Sequence, residues 1–165
     1  MRRLPLVLAL LAVPALLAAG CGGGSSKSTS NNSTTKTSAS TASGATVGAR
    51  KTGLGTILVD STGRTLYLFE KDKADKSSCS GACASAWPPS TATAKPKPAA
   101  GVNAAMLGTT ARSDGTKQAT YNGHPLYTYA GDTTPGQTTG EGLNQFGAEW
   151  YAVSPQGTKV EKAGS

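Results

Sequence analysis

The spacing of apolar residues divides the chain into three stretches. Leu4 to Leu17 is almost wholly apolar, is headed by Arg2 and Arg3, and is followed by the small residues Ala18, Ala19 and Gly20. At 14 residues, interrupted by Pro5 and Pro14, it is too short and broken for a membrane-spanning helix and predicts a secretory signal over residues 1–20. Residues 21–49 are rich in Gly, Ser and Thr and contain no aromatic side chain. Such a stretch cannot bury enough surface to offset its ordering entropy, which predicts a disordered linker. From Thr56 the pattern becomes short β-rich runs separated by turns, and all nine aromatic residues fall between Tyr67 and Tyr151. The core is therefore expected in a domain over residues 50–165.

Within that domain, Ile57 to Asp60 and Thr65 to Phe69, joined through Ser61-Thr62-Gly63-Arg64, predict a hairpin. In its second strand Tyr67 and Phe69 share one face, and Leu66 and Leu68 the other. Both faces are apolar, so this strand is expected to be covered on both sides. Lys117 to Tyr121 and His124 to Tyr129 flank Asn122-Gly123, the strongest short hairpin signal. Further strands are expected at Leu107 to Ala111 and Trp150 to Val153, and an irregular connection from Lys95-Pro96-Lys97-Pro98. Aligning Gly63 to Asp72 with Gly123 to Asp132 matches Gly, Leu, Tyr, an aromatic and Asp at a constant offset of 60. The domain reads as all-β, a small sandwich or barrel of two pseudo-symmetric β-meander repeats, at about 53–100 and 101–160.

Tyr67-x-Phe69-x-x-Asp72 and Tyr127-x-Tyr129-x-x-Asp132 resemble the repeated motif of the bacterial secreted-repeat lipoproteins. Cys79-x-x-x-Cys83 followed by Trp87-Pro88-Pro89, the run Tyr121 to Tyr127, and Trp150-Tyr151 are also similar to that family. The resemblance covers roughly Gly53 to Gly157. It implies an exported address and a fold, with a function generally listed as unknown and, for some members, an association with alkanes.

Composition and charge narrow the function classes. One domain of about 115 residues excludes a multidomain enzyme and a polytopic membrane protein. The chain carries +7; without Arg2 and Arg3, 14 cations oppose nine acids, leaving +5. Several of these cations lie in or beside the linker, so the basic tether suits an anionic membrane or a cell-wall polymer, and salt weakens the attraction. No basic run is interleaved with aromatics, which argues against nucleic acid. Ala18-Ala19-Gly20-Cys21 resembles the bacterial lipobox, with Ala18 where leucine is usual, so Cys21 is expected to be lipidated and to become the new N-terminus. The tether reaches on the order of 30 Å from the outer face of the cytoplasmic membrane.

The chemistry-bearing residues are few. Asp72 and Asp132 read as strand-ending carboxylates that accept backbone N–H bonds, with an acid-base or cation-binding pair as the sharper alternative. Tyr67, Phe69, Tyr127 and Tyr129 read as core with hydroxyls bonded at the rim, or as the wall of a sugar or lipid groove. Cys79 and Cys83 read as a disulfide in an exported chain, with a redox pair or a metal site as alternatives. Trp87, His124 and Trp150 are candidate ligand contacts. His124 is the sole histidine, and no serine elbow accompanies it.

The expectation is a monomeric, lipid-anchored envelope protein without cofactor or metal. It would be non-enzymatic and would bind an unidentified ligand, a wall polymer or an envelope protein. The alternatives are a redox accessory using Cys79 and Cys83, and an apolar-ligand binder.

Overall fold

A computed structural model describes residues 45–161, all within one compact unit. The secretory signal, Cys21 and most of the linker lie outside the described residues. Strand structure reaches into the stretch expected to be linker. Strand β1 (Thr46–Thr52) starts inside the stretch assigned to the linker and pairs antiparallel with β2 (Gly55–Asp60), Val47 opposite Asp60 and Thr52 opposite Gly55. Its one buried residue, Val47, is 0% exposed. A Gly, Ser and Thr background hid this strand, because a single inward valine leaves almost no periodic signal.

The rest is all-β apart from short helical turns. After β3 (Tyr67–Phe69) comes a short helix, α1 (Ala82–Ala86), then β4 (Lys97–Pro98), a 3-10 turn at Ala104–Met106, β5 (Leu107–Ala111), β6 (Lys117–Tyr121), β7 (His124–Pro125), β8 (Leu143–Gln145) and β9 (Ala148–Ala152). They form three three-stranded sheets, β2-β1-β4, β3-β9-β8 and β5-β6-β7. The sheets do not close into a barrel. Lys97-Pro98, expected to be irregular, pairs in parallel with Thr46 and Val47 and completes the first sheet. The second hairpin turns at Asn122 (φ 48°) and Gly123 (φ 81°), the two left-handed residues of a type I′ turn. The first uses a longer turn in which Asp60 Oδ1 accepts from Thr62 N (2.8 Å) and Arg64 N (3.0 Å).

The two repeats are interlocked. Tyr67 N donates to Tyr127 O (2.8 Å) and Tyr127 N to Tyr67 O (3.0 Å), a reciprocal pair that marks a pseudo-two-fold axis. The segment closing each repeat crosses this axis. Residues 86–90 lie along the second repeat: Ala130 N donates to Ala86 O, Thr128 N to Pro88 O and Ser90 N to Leu126 O. Residues 149–153 lie along the first in the same way: Glu70 N donates to Glu149 O and Val153 N to Leu66 O, while Leu68 pairs with Tyr151. Each hairpin is thus completed by the other repeat's last strand.

Two cores sit on the two faces of this layer. Leu66, Leu68 and Leu126 join Val47, Leu58 and Tyr121 on one face. Tyr67, Phe69 and Tyr127 join Ile57, Trp87 and Trp150 on the other. The strand apolar on both faces is therefore covered on both faces.

Exchange of the closing strands makes each half incomplete. Fragments 45–100 and 101–161 are each expected to lack stable β structure alone and to regain it on 1:1 mixing. Circular dichroism and amide exchange check this, and a stably folded isolated fragment would contradict the interlock.

Candidate functional site

The repeated motif meets itself across the pseudo-two-fold. Tyr67 hydroxyl donates to Asp132 Oδ2 (2.6 Å), and Tyr127 hydroxyl donates to Asp72 Oδ2 (2.7 Å). The other oxygen of each carboxylate orders the loop that follows it. Asp72 Oδ1 accepts from Ser78 N (2.7 Å) and Ser78 Oγ (2.8 Å), and Asp132 Oδ1 from Thr139 N (2.9 Å) and Thr139 Oγ1 (2.6 Å). The tyrosines of one repeat therefore bond the aspartate of the other. Tyr67 also accepts from Gly140 N (3.3 Å), and Tyr127 lies 2.8 Å from Ser77 Oγ. These hydroxyls are interior rather than at a rim; both residues are fully buried. Burial, and then donation to the aspartate, push both hydroxyls well above the usual tyrosine range.

The aromatics obey the same symmetry. Phe69, Trp150, Trp87 and Tyr129 form a continuous stack with centroid separations of 4.0, 3.9 and 4.4 Å. Tyr67 meets the edge of Trp87 at 5.3 Å, and Tyr127 meets Trp150 at 5.1 Å. Each such pair contributes about 0.5–1.5 kcal/mol beyond its buried area. Gln145 holds both indoles, its side-chain oxygen accepting from Trp87 Nε1 (2.9 Å) and its carbonyl from Trp150 Nε1 (3.1 Å). Trp87 and Trp150 are 0% exposed. This corrects their place as candidate ligand contacts: they are the centre of the core, because each sits on a closing strand that the opposite hairpin covers.

The sequence pattern of a family described as a secreted repeat of unknown function matches residues 48–91 and again 108–154, together more than half of the chain. The chain belongs to this family. No curated protein and no solved structure matches it. The two matches end at the two closing strands, so each secreted repeat comprises a hairpin and the strand it gives away.

Cys79 and Cys83 form a disulfide between the first repeat's motif and α1, and both are buried. Its five-residue loop contributes about 2 kcal/mol in the chain-entropy model. The loop is further held by Arg112, which the sequence reading missed. Its guanidinium is almost wholly buried and donates to Cys79 O (2.7 Å), Ser77 Oγ (2.8 Å) and Gln118 Oε1 (2.7 Å), and it pairs with Asp114 at 3.2 Å. A lone arginine in a polar stretch gives no sign of this. Ser78 and Thr139 were more legible, since each is a hydroxyl residue six or seven positions after its repeat's aspartate.

His124 is half-buried and lines a cleft of about 520 Å³ together with Phe69, Glu70, Asp72 and Lys159. Lys159 Nζ bridges Glu70 (2.9 Å) and Glu161 (2.8 Å). Asp72 lines this cleft, whereas Asp132 is buried and is not among the lining residues, and the two carboxylates accept from different tyrosines. Among the described residues no group of three or more His, Cys, Asp or Glu is placed to hold a metal ion.

Three tests follow from the crossed pairs and the rings beside them. A tyrosine favoured in its neutral form by the fold stabilises fully below its unfolded value of about 10, and that stabilisation is lost as pH rises above it. Tyr67 and Tyr127 are therefore expected to ionise only as the fold is lost above about pH 10, read as tyrosinate absorbance rising together with loss of near-ultraviolet dichroism. Tyr67→Phe is expected to cost about 1–3 kcal/mol in chemical denaturation, since it strips a donor from a buried carboxylate. Tyr127→Phe is expected to cost less, because Asp72 is only half-buried. Gly140→Ala would drive a Cβ to 2.7 Å from the Trp87 ring and 3.0 Å from Tyr67, and should lower stability by about 1–3 kcal/mol in the same assay.

Proposed function

We propose that the chain is a lipid-anchored protein of the outer face of the cytoplasmic membrane, whose secreted-repeat domain is a non-enzymatic binding module held out on a tether. The family's description as secreted supports export. The observation that most favours a binding module is the internal use of the motif: Tyr67, Tyr127, Asp72 and Asp132 spend their polar atoms on one another and on their own loops. A general acid or base has to present its group to a substrate. Here the repeated carboxylates and hydroxyls hold two halves together.

Burial of both cysteines, in a loop that Arg112 holds through the Cys79 carbonyl, favours a structural disulfide over a redox pair, because thiol exchange requires an attacking thiolate to reach one of the sulfurs. Among the described residues no helix is long and apolar enough to cross a membrane. Attachment would thus rest on Cys21, where the diacylglycerol thioether and an added acyl chain supply the several buried chains that stable anchoring needs.

The test is expression of the full chain and of Cys21→Ala in a bacterial host fed a clickable palmitate analogue. The wild-type chain is expected to carry label and sediment with membranes. Cys21→Ala is expected to lose the label and appear in the soluble exported fraction. An unlabelled wild-type chain, or a variant that stays on the membrane, would overturn the anchor.

A further inference from the structure

The pseudo-two-fold lets each end of the domain serve as a reference for the other. After the first hairpin turn, Arg64 follows Gly63 and sends its side chain across the axis. Its Nη2 donates to the Tyr129 carbonyl at 2.6 Å, and its Nε is shielded from solvent. That carbonyl also accepts from Asp132 N at 3.2 Å. At the other end, His124 follows Gly123 and Phe69 stands for Tyr129. The Phe69 carbonyl accepts from Asp72 N at 3.0 Å, as its twin accepts from Asp132 N. His124 is too short to repeat the arginine's reach, and the space beside it is the 520 Å³ cleft.

The cleft has the charge to match. Glu70 and Asp72 both line it, against Lys159 and beside His124. Lys159 divides its single charge between Glu70 and Glu161, so Glu70 is the carboxylate placed to pair with a second cation, while Asp72, whose oxygens accept from Tyr127 and Ser78, contributes only its charge. A planar cation with several donors fits such a site: it can pair with a carboxylate while donating to a carbonyl, as Arg64 does to Tyr129.

We propose that this cleft binds an alkylguanidinium group, in the position whose pseudo-symmetric twin the chain fills with its own Arg64. The inference deepens the binding-module reading and does not depend on the lipid anchor.

His124, the sole histidine, supplies a single reporter. The full-length chain in detergent micelles, labelled with carbon-13 histidine, is titrated at constant ionic strength with ethylguanidinium, with N-acetylargininamide and with the neutral isostere ethylurea. Small cations of this size are expected to saturate in the millimolar range. The expected result is a saturable shift of the His124 signals with a guanidinium and none with ethylurea. Tighter binding of ethylguanidinium points to a small-molecule source, and tighter binding of N-acetylargininamide to an arginine on a partner chain. Glu70→Gln should raise the half-saturation concentration at least threefold. Unmoved His124 signals, an equal response to ethylurea, or an unchanged half-saturation in Glu70→Gln would overturn the proposal and leave the membrane-label test untouched.

Discussion

The reciprocal backbone pair between Tyr67 and Tyr127 is the contact on which the remainder of the domain depends. It sets two hairpins antiparallel about an axis, and each hairpin then lacks one neighbour. The lacking strand comes from the other repeat. A half of the chain alone would expose the strand edges and the indole that its partner covers, and unpaired edges and large apolar patches are both costly. Duplication within one chain supplies the missing half at high effective concentration. The stretch after Ser90 then returns to the second hairpin, and on its way Lys97 and Pro98 pair with Thr46 and Val47.

Polar and apolar groups cooperate at the axis. The stack of four rings places large flat surfaces in the centre, where stacked and edge contacts reward fixed geometry. A tyrosine beside such a stack brings a hydroxyl into a low-dielectric interior, where an unpaired donor is expensive. The aspartate from the opposite repeat satisfies it, and its second oxygen is consumed by the loop it begins. Ring, hydroxyl, carboxylate and loop are thus one connected unit, present twice. Its members are more than their pairwise sum, because removing any one leaves a buried partner unsatisfied.

Much of the hairpin grammar was readable in the sequence, and the reasons are local. Asn122-Gly123 demands a left-handed turn that few other pairs accept, and Leu66 to Phe69 carries apolar residues on both faces, so two-sided cover followed from composition alone. The offset of 60 between the motifs exposed the repeat. What stayed hidden depends on long-range geometry. That Tyr67 bonds Asp132 rather than Asp72 cannot be read from spacing, since both aspartates lie at equivalent sequence positions. Trp87 and Trp150, expected as candidate ligand contacts, are buried because each lies on a segment that the opposite hairpin covers, and that exchange leaves no mark in local sequence.

The same symmetry indicates where divergence is cheap. At the axis, a change in one repeat disturbs groups of the other, so the constraints there act on both copies at once. Past the turn glycines the copies part: Arg64 fills its end, whereas His124 leaves a cleft. Neither residue takes part in the aromatic stack or the crossed tyrosine-aspartate pairs. A substitution at such a position alters the surface without reopening the interlock, which makes the ends of the axis the places where a shared scaffold can acquire different partners. The polar interior of this domain is therefore best understood as what holds two repeats in register, and its outer ends as where recognition can vary.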